Sequence, residues 1–296
     1  MRRARSACRV TEMAARKIGI IAGGGELPVL MAEHCAQTGQ PYFVARLSPF
    51  ADPALEAHPG VTLGLGAMGA RINAMREAGC TAVVIIGQVP RVDPATLQLD
   101  DVAIAMLPAI LQALRGGDDG LLRAVLAEHE KAGFEVIGAD EAMVDLLAIA
   151  GAWGQHAPRE ANLREIVRAA KAAAAIGALD IGQGVVVCDK LVLAVEAQEG
   201  TDQMLARVAA LPEQVRGTTQ SRRGVLVKRP KPMQERRIDL PTIGVRTIEG
   251  AARAGLAGVA VEAGGALVVK REDLIAAADA AGLYVFGFTP ADVGEA

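Results

Sequence analysis

Residues Lys17–Pro28 read KIGIIAGGGELP: a strand-length apolar run, three glycines, and the opening of a helical pattern that continues to Ala36. A short continuous apolar run closed by glycine has the signature of a buried strand. A second such run at Tyr42–Leu47 completes a strand–helix–strand unit. Further strands are expected at Thr81–Ile86 and Phe134–Ile137. Helices are expected around Ile72–Ala78, after Gly64, Gly66 and Gly69, over Asp101–Leu114, and from Asp118 to Ala132. Alternating strands and helices predict a parallel, doubly wound sheet, because parallel neighbours need a crossover helix.

The fold class read from the pattern is therefore α/β, with a Rossmann-like domain over residues 17–154. Gly151–Pro158 lacks periodicity and reads as a linker. Residues 159–296 predict a second α/β domain with a mixed sheet. It comprises a long helix at Glu160–Ile176, strands at Val185–Cys188 and Leu191–Glu196 joined by Asp189-Lys190, and shorter strands at Val225–Val227, Val259–Val261 and Tyr284–Phe286. Residues 1–16, rich in arginine with one acid, read as a disordered leader without the apolar stretch of a secretory signal.

Composition narrows the function. Of 296 residues, 51% are hydrophobic and 22% charged, which excludes global disorder. A net charge of −3 argues against a general nucleic-acid binder. Four scattered cysteines fit reduced thiols in a cytoplasmic protein rather than a disulfide scaffold. The four histidines show no ligand spacing, so a metal would need carboxylates, which points to Mg²⁺ or Mn²⁺. No apolar run is long enough to span a bilayer.

Four segments could carry chemistry. Gly23, Gly24 and Gly25, with Glu26, place backbone N–H groups at a helix start, where a nucleotide could approach, although glycines there equally serve a tight turn. Asp118 and Asp119 open a helix and either cap it or hold a ribose or metal. Glu196, Glu199, Thr201 and Asp202 lie between a strand and a helix, near Gln183, and capping accounts for only one of the three acids. Arg222–Gly244 is the most informative stretch. Seven basic residues stand there against one acid up to Arg237, followed by Asp239-Leu-Pro-Thr242. Prolines around Lys231 stiffen this loop. Cations for phosphate oxygens beside one carboxylate for a metal or water are what diphosphate chemistry needs, although Asp239 could also cap the next helix.

Taken together, KIGIIAGGGELP, GDDGLLRAV, GFEVIGADE, GALDIGQGVVV, LAVEAQEGTDQML, GVLVKRPKP and RRIDLPTIG resemble the LpxI-type UDP-2,3-diacylglucosamine pyrophosphatases of lipid A biosynthesis, in order, from Lys17 to the end. The resemblance implies Mg²⁺-dependent hydrolysis (Mn²⁺ being the substitute ion) to UMP and 2,3-diacylglucosamine 1-phosphate, lipid X, with water adding at the β-phosphorus. It implies Asp239, Lys228 and Lys231 as catalytic residues, with Asp239 holding the metal. Gly23, Gly24, Gly25, Glu26, Gln88, Asp118, Asp119, Gln183, Glu199, Thr201 and Asp202 would contact the substrate. A homodimer, no nucleic-acid partner, and loose attachment to the cytoplasmic face of the inner membrane are expected. Two departures from the family pattern stand out: Met233 and Glu235 replace a glycine and an aspartate, and Asp140 replaces a histidine.

Two other functions fit parts of the sequence. The first is a dinucleotide-dependent oxidoreductase, but GGGELP lacks the third-glycine spacing and no acid closes the second strand after Leu47. The second is a non-catalytic lipid or nucleotide carrier.

Overall fold

The computed structural model describes residues 16–90, 92–93, 96–114, 118–232 and 240–295, without the side chains of 111–119. The chain divides into two compact units, one ending at Val144 and the other beginning at Asp145.

The first unit is built on β1 (Ile18–Ala22), α1 (Glu26–Thr38), β2 (Tyr42–Ser48), β3 (Gly60–Gly64), α2 (Met68–Glu77) and β4 (Ala82–Ile86). It continues through α3 (Asp101–Leu114), α4 (Asp118–Lys131), β5 (Glu135–Val136) and the single-turn α5 (Ala139–Ala142). The sheet order is β3-β2-β1-β4-β5, with every pairing parallel. This is the predicted doubly wound sheet. All five residues of β1 are buried, as a strand covered on both faces should be. Strand β3 was not legible as a strand: its five residues are glycine-bounded and none is fully buried, so no apolar run marks it.

The second unit contains β6 (Gly151–Trp153), α6 (Glu160–Ala178), β7 (Gly184–Cys188), β8 (Leu191–Val195), α7 (Gly200–Ala209) and β9 (Val225–Lys228). It ends with β10 (Thr242–Ile243), α8 (Val245–Arg253), β11 (Gly258–Glu262), β12 (Leu267–Val268), α9 (Arg271–Ala281) and β13 (Tyr284–Phe288). Six strands form a mixed sheet, β6-β13-β11-β9-β7-β8, in which β9, β11 and β13 are parallel and the flanking strands antiparallel. Strands β10 and β12 make a separate parallel pair.

The segment expected as a linker contributes β6, whose Trp153 is 4% exposed and donates from Nε1 to the Ile149 carbonyl at 3.0 Å. A three-residue edge strand carries too little pattern to be read as one. Asp189 and Lys190 form the expected two-residue hairpin turn, with φ of 47° and 68°, the geometry that matches strand twist.

Alternation along β9 decides what faces what. Val225 and Val227 pack into the core on one side of the sheet, with Ile166 and Ala170 of α6 and Phe288 of β13. Leu226 joins the opposite core, beneath α7, α8 and α9, with Leu205, Ile248 and Leu274. Lys228, two residues on from Leu226, falls on that same face at the carboxyl end of the strand.

Candidate functional site

Open α/β sheets bind ligands at the carboxyl ends of their parallel strands. In the second unit that end is marked by Lys228 on β9. Lys228 is 4% exposed, so its ammonium has left bulk water and needs partners. Nζ donates to Thr201 Oγ1 at 2.7 Å, and Thr201 Oγ1 lies 2.6 Å from Glu196 Oε1. The ammonium itself stands 3.7 Å from that carboxylate oxygen, and Glu196 is only 6% exposed. A second N–H falls on the Thr242 carbonyl at 3.5 Å.

Local structure explains how Glu196 reaches this place. Gly184 is paired with Lys228 in the β7–β9 ladder, and the Glu196 N–H donates to the Gly184 carbonyl at 2.8 Å. A Cβ on Gly184 would stand 2.4 Å from Glu196 Oε2, and one on Gly182 would stand 1.9 Å from the Glu196 carbonyl oxygen. Gly184 thus leaves room for the Glu196 carboxylate and Gly182 for the Glu196 backbone carbonyl. Glu196 Oε2 is buried and has no hydrogen-bond partner among the described residues.

The other expected site residues are placed as follows. Thr201 does not cap α7, whose N-terminus carries no side-chain cap; its hydroxyl is turned to Glu196 and Lys228 instead. Glu199 accepts from the Ala197 N–H at 3.2 Å and from Arg207. Its own backbone amide, and then Arg207, hold its carboxyl below the ordinary carboxylate range. Asp202 is exposed and pairs with Arg246 at 2.6 Å. Lys231 reaches Asp180 at 2.7 Å. The Gln183 carbonyl accepts from the Arg229 N–H at 3.1 Å. Asp239 lies outside the described residues, as do Arg236 and Arg237.

The described cations of the basic stretch do not form one patch. Arg222 donates to the Ala252 carbonyl, and Arg223 is held by Asp189 and the Arg216 carbonyl. Both precede β9 at its amino end, whereas Lys228 closes its carboxyl end. Arg229 makes a two-pronged contact with Glu295, both arms at 2.9 Å, and meets Glu262 at 3.0 Å. These carboxylates, Glu295 first, hold the guanidinium more firmly protonated than usual. Of the cations named here, Lys228 alone is both buried and aimed at a hydroxyl–carboxylate relay.

In the first unit the glycine turn is tied to the end of β4. Gly24 and Gln88 exchange both backbone hydrogen bonds at 2.8 Å, and Gly23 donates to the Ile86 carbonyl at 2.9 Å. A Cβ on Gly23 would meet the Gln88 carbonyl oxygen at 2.8 Å, while Gly25 adopts φ of 90°. Glu26 and Gln88 are exposed beside this turn. Asp118 and Asp119 open α4; their side chains are outside the described ones.

As to a metal, the Thr201 hydroxyl and the Thr242 carbonyl are already engaged by the Lys228 ammonium, and Glu196 Oε1 by the Thr201 hydroxyl, so an ion would need a carboxylate beyond this relay. A carboxylate oxygen suits Mg²⁺ or Mn²⁺ rather than Zn²⁺. Among the described residues, Glu165, Cys188 and Asp189 form a group close enough to hold an ion. It belongs to the other end of β7, Asp189 is engaged by Arg223, and burial pushes the Cys188 thiol up to about 11. No helix of the described residues is long and apolar enough to cross a membrane.

Comparison with known proteins follows the same division. Residues 17–146 match the LpxI N-terminal domain and residues 149–286 the LpxI C-terminal domain. The UDP-2,3-diacylglucosamine pyrophosphatase LpxI of Caulobacter vibrioides is 53% identical over 275 residues, covering 93% of this chain and 98% of that protein. Among solved structures, CobK precorrin-6A reductase covers 93% of this chain and 88% of its own at 13% identity, with a TM-score of 0.33, too loose a likeness to bear on function. Matched in both domains and over nearly its whole length by that relative, the chain belongs to the LpxI family.

Proposed function

We propose that this chain is a pyrophosphate hydrolase that cleaves UDP-2,3-diacylglucosamine to UMP and 2,3-diacylglucosamine 1-phosphate, water adding at the β-phosphorus, in lipid A biosynthesis. The observation that carries the reading is the 53% identity to a pyrophosphatase of that substrate across both domains. The site geometry supports it: a buried ammonium at the carboxyl end of a parallel strand is a fixed positive charge for phosphate oxygens.

Lys228 binds and orients a phosphate oxygen through an N–H that no described residue accepts, offsetting charge that grows as water adds and the bridging P–O bond opens. Exclusion of water around Lys228 strengthens that interaction. Mg²⁺ would be held by Asp239, and when bound it would neutralise phosphate charge and favour the attacking hydroxide. Lys231 would serve the phosphates after leaving Asp180. In the first unit the glycine turn at Gly23–Gly25, with Glu26, Gln88, Asp118 and Asp119, would contact the substrate; in the second unit Gln183, Glu199, Thr201 and Asp202 would do so. We expect a cytoplasmic homodimer that meets the membrane surface only to collect its lipid.

The test is incubation of the purified protein with UDP-2,3-diacylglucosamine and Mg²⁺, with UMP as readout. Asp239→Ala should lower turnover by roughly 10² or more while the fold persists. Absence of UMP with the wild-type protein would reject the assignment. Near-wild-type turnover of Asp239→Ala would remove Asp239 from it.

A further inference from the structure

We propose that Glu196 is a positioning residue for the hydrolysis, acting through the Thr201 hydroxyl to hold the Lys228 ammonium in one direction. The inference rests on the reading of Lys228 as the cation that meets a phosphate.

The chemistry of the three groups fixes the direction of every hydrogen bond between them. An ammonium can only donate and an ionised carboxylate can only accept. Thr201 Oγ1, 2.7 Å from Lys228 Nζ and 2.6 Å from Glu196 Oε1, therefore accepts from the lysine and donates to the glutamate. The hydroxyl rotor is left with one orientation, and one of the three ammonium protons is committed. With a second facing the Thr242 carbonyl, the direction of the third is set. A lysine on a flexible four-carbon stem loses rotamer entropy when it is immobilised. Here that ordering is complete before any substrate arrives, which is the condition for electrostatic stabilisation without reorganisation.

Stability alone does not explain this arrangement. A buried ion pair adds little net stability, and apolar residues of equal volume often do as well or better. Leaving Glu196 Oε2 buried with no partner among the described residues is an added cost. A capping role is also set aside, because no side chain caps the first turn of α7. The volume occupied by the carboxylate exists because residue 184 is glycine, and the Glu196 backbone carbonyl fits because residue 182 is glycine. Three segments of sequence thus converge to place one carboxylate beneath one ammonium.

Thr201→Val removes the hydroxyl but keeps its shape, Thr201→Ser restores it, and Glu196→Gln keeps the size of the side chain but removes its charge. UMP release is measured as kcat and KM for each variant and for the Glu196→Gln/Thr201→Val double. We expect Thr201→Val to lower kcat by at least about 30-fold, with KM changed by less than about 3-fold, and Thr201→Ser to stay within about 3-fold of wild type. The double should be no worse than the poorer single, because both break one relay. Should Glu196→Gln fail to fold, the Val–Ser pair alone decides. The proposal is overturned if Thr201→Val keeps wild-type kcat, if Ser fails to rescue, or if the two losses multiply, which would give Glu196 a separate role. A wild-type protein that releases no UMP instead overturns the functional reading beneath it.

Discussion

Gly184 and Glu196 share one volume: a Cβ on the glycine would stand 2.4 Å from Oε2 of the glutamate and 3.2 Å from its Cβ. The glycine faces Lys228 across the β7–β9 ladder, so the space it leaves is the space beside the ammonium. A backbone position without chemistry of its own thereby decides where a charge sits.

Gly184→Ala should displace the Glu196 carboxylate and cost about 1–3 kcal/mol in overpacking. The same variant should lower UMP release by at least ~10-fold. Urea denaturation and the activity assay together check this; an alanine variant with unchanged stability and turnover would show that the volume is not shared.

Lys228→Met should be more damaging to stability than most core changes, because it leaves Glu196 buried without its cation, at a cost of roughly 3–5 kcal/mol. Adding Glu196→Gln should recover part of that loss without recovering activity. If the double variant proves less stable than Lys228→Met alone, the two charges do not compensate one another.

Glu295 is held below its ordinary value of 4.5, chiefly by its hydrogen bonds to Arg229. A carboxyl lowered in the folded state adds stability above its unfolded value and loses it as pH falls through the folded one. The side chain is 38% exposed, so screening limits the contribution to about 1 kcal/mol or less. Glu295→Gln should therefore be slightly less stable than wild type at pH 7, and the gap should close below pH 4.5. Denaturant midpoints that differ equally at pH 7 and pH 3 would contradict this.

Burial raises the thiols of Cys35, Cys80 and Cys188 to about 11. At pH 8 each should react with maleimide at least ~100-fold more slowly than a free thiol, because the thiolate is the nucleophile. Mass spectrometry of briefly labelled native protein should find these three positions unmodified, and all should be modified after unfolding. Rapid native labelling of any of them would mean that the segment around it opens readily.

Much of the architecture was legible because continuous apolar runs such as Ile18–Ala22 and Ala82–Ile86 have one interpretation in a chain with alternating helices. Elements without such runs were not. Strands β10 and β12 have two residues each, and β6 has three, so neighbours rather than pattern make them strands. In the site, Lys228 and Thr201 were legible through motif resemblance. Glu196 was read only as one acid in a cluster. Its signal was alternation at the end of the strand: Ala194 and Glu196 are two apart and both buried, whereas Leu193 and Val195 between and beside them are only half-buried. The splitting of the basic stretch was illegible because sequence distance along a strand conceals that its two ends face different surroundings.

The reversed direction of β7 relative to β9 has a geometric consequence. Were β7 parallel to its neighbour, Gly184 would open the strand at the far rim, and the chain leaving β8 would travel away from Lys228. The antiparallel flank instead folds an entry point, an exit point and a strand end onto one rim. Residues 184, 196, 201 and 228 become neighbours there without any long loop to carry them. Sheet topology, more than loop conformation, is what assembles this corner of the protein.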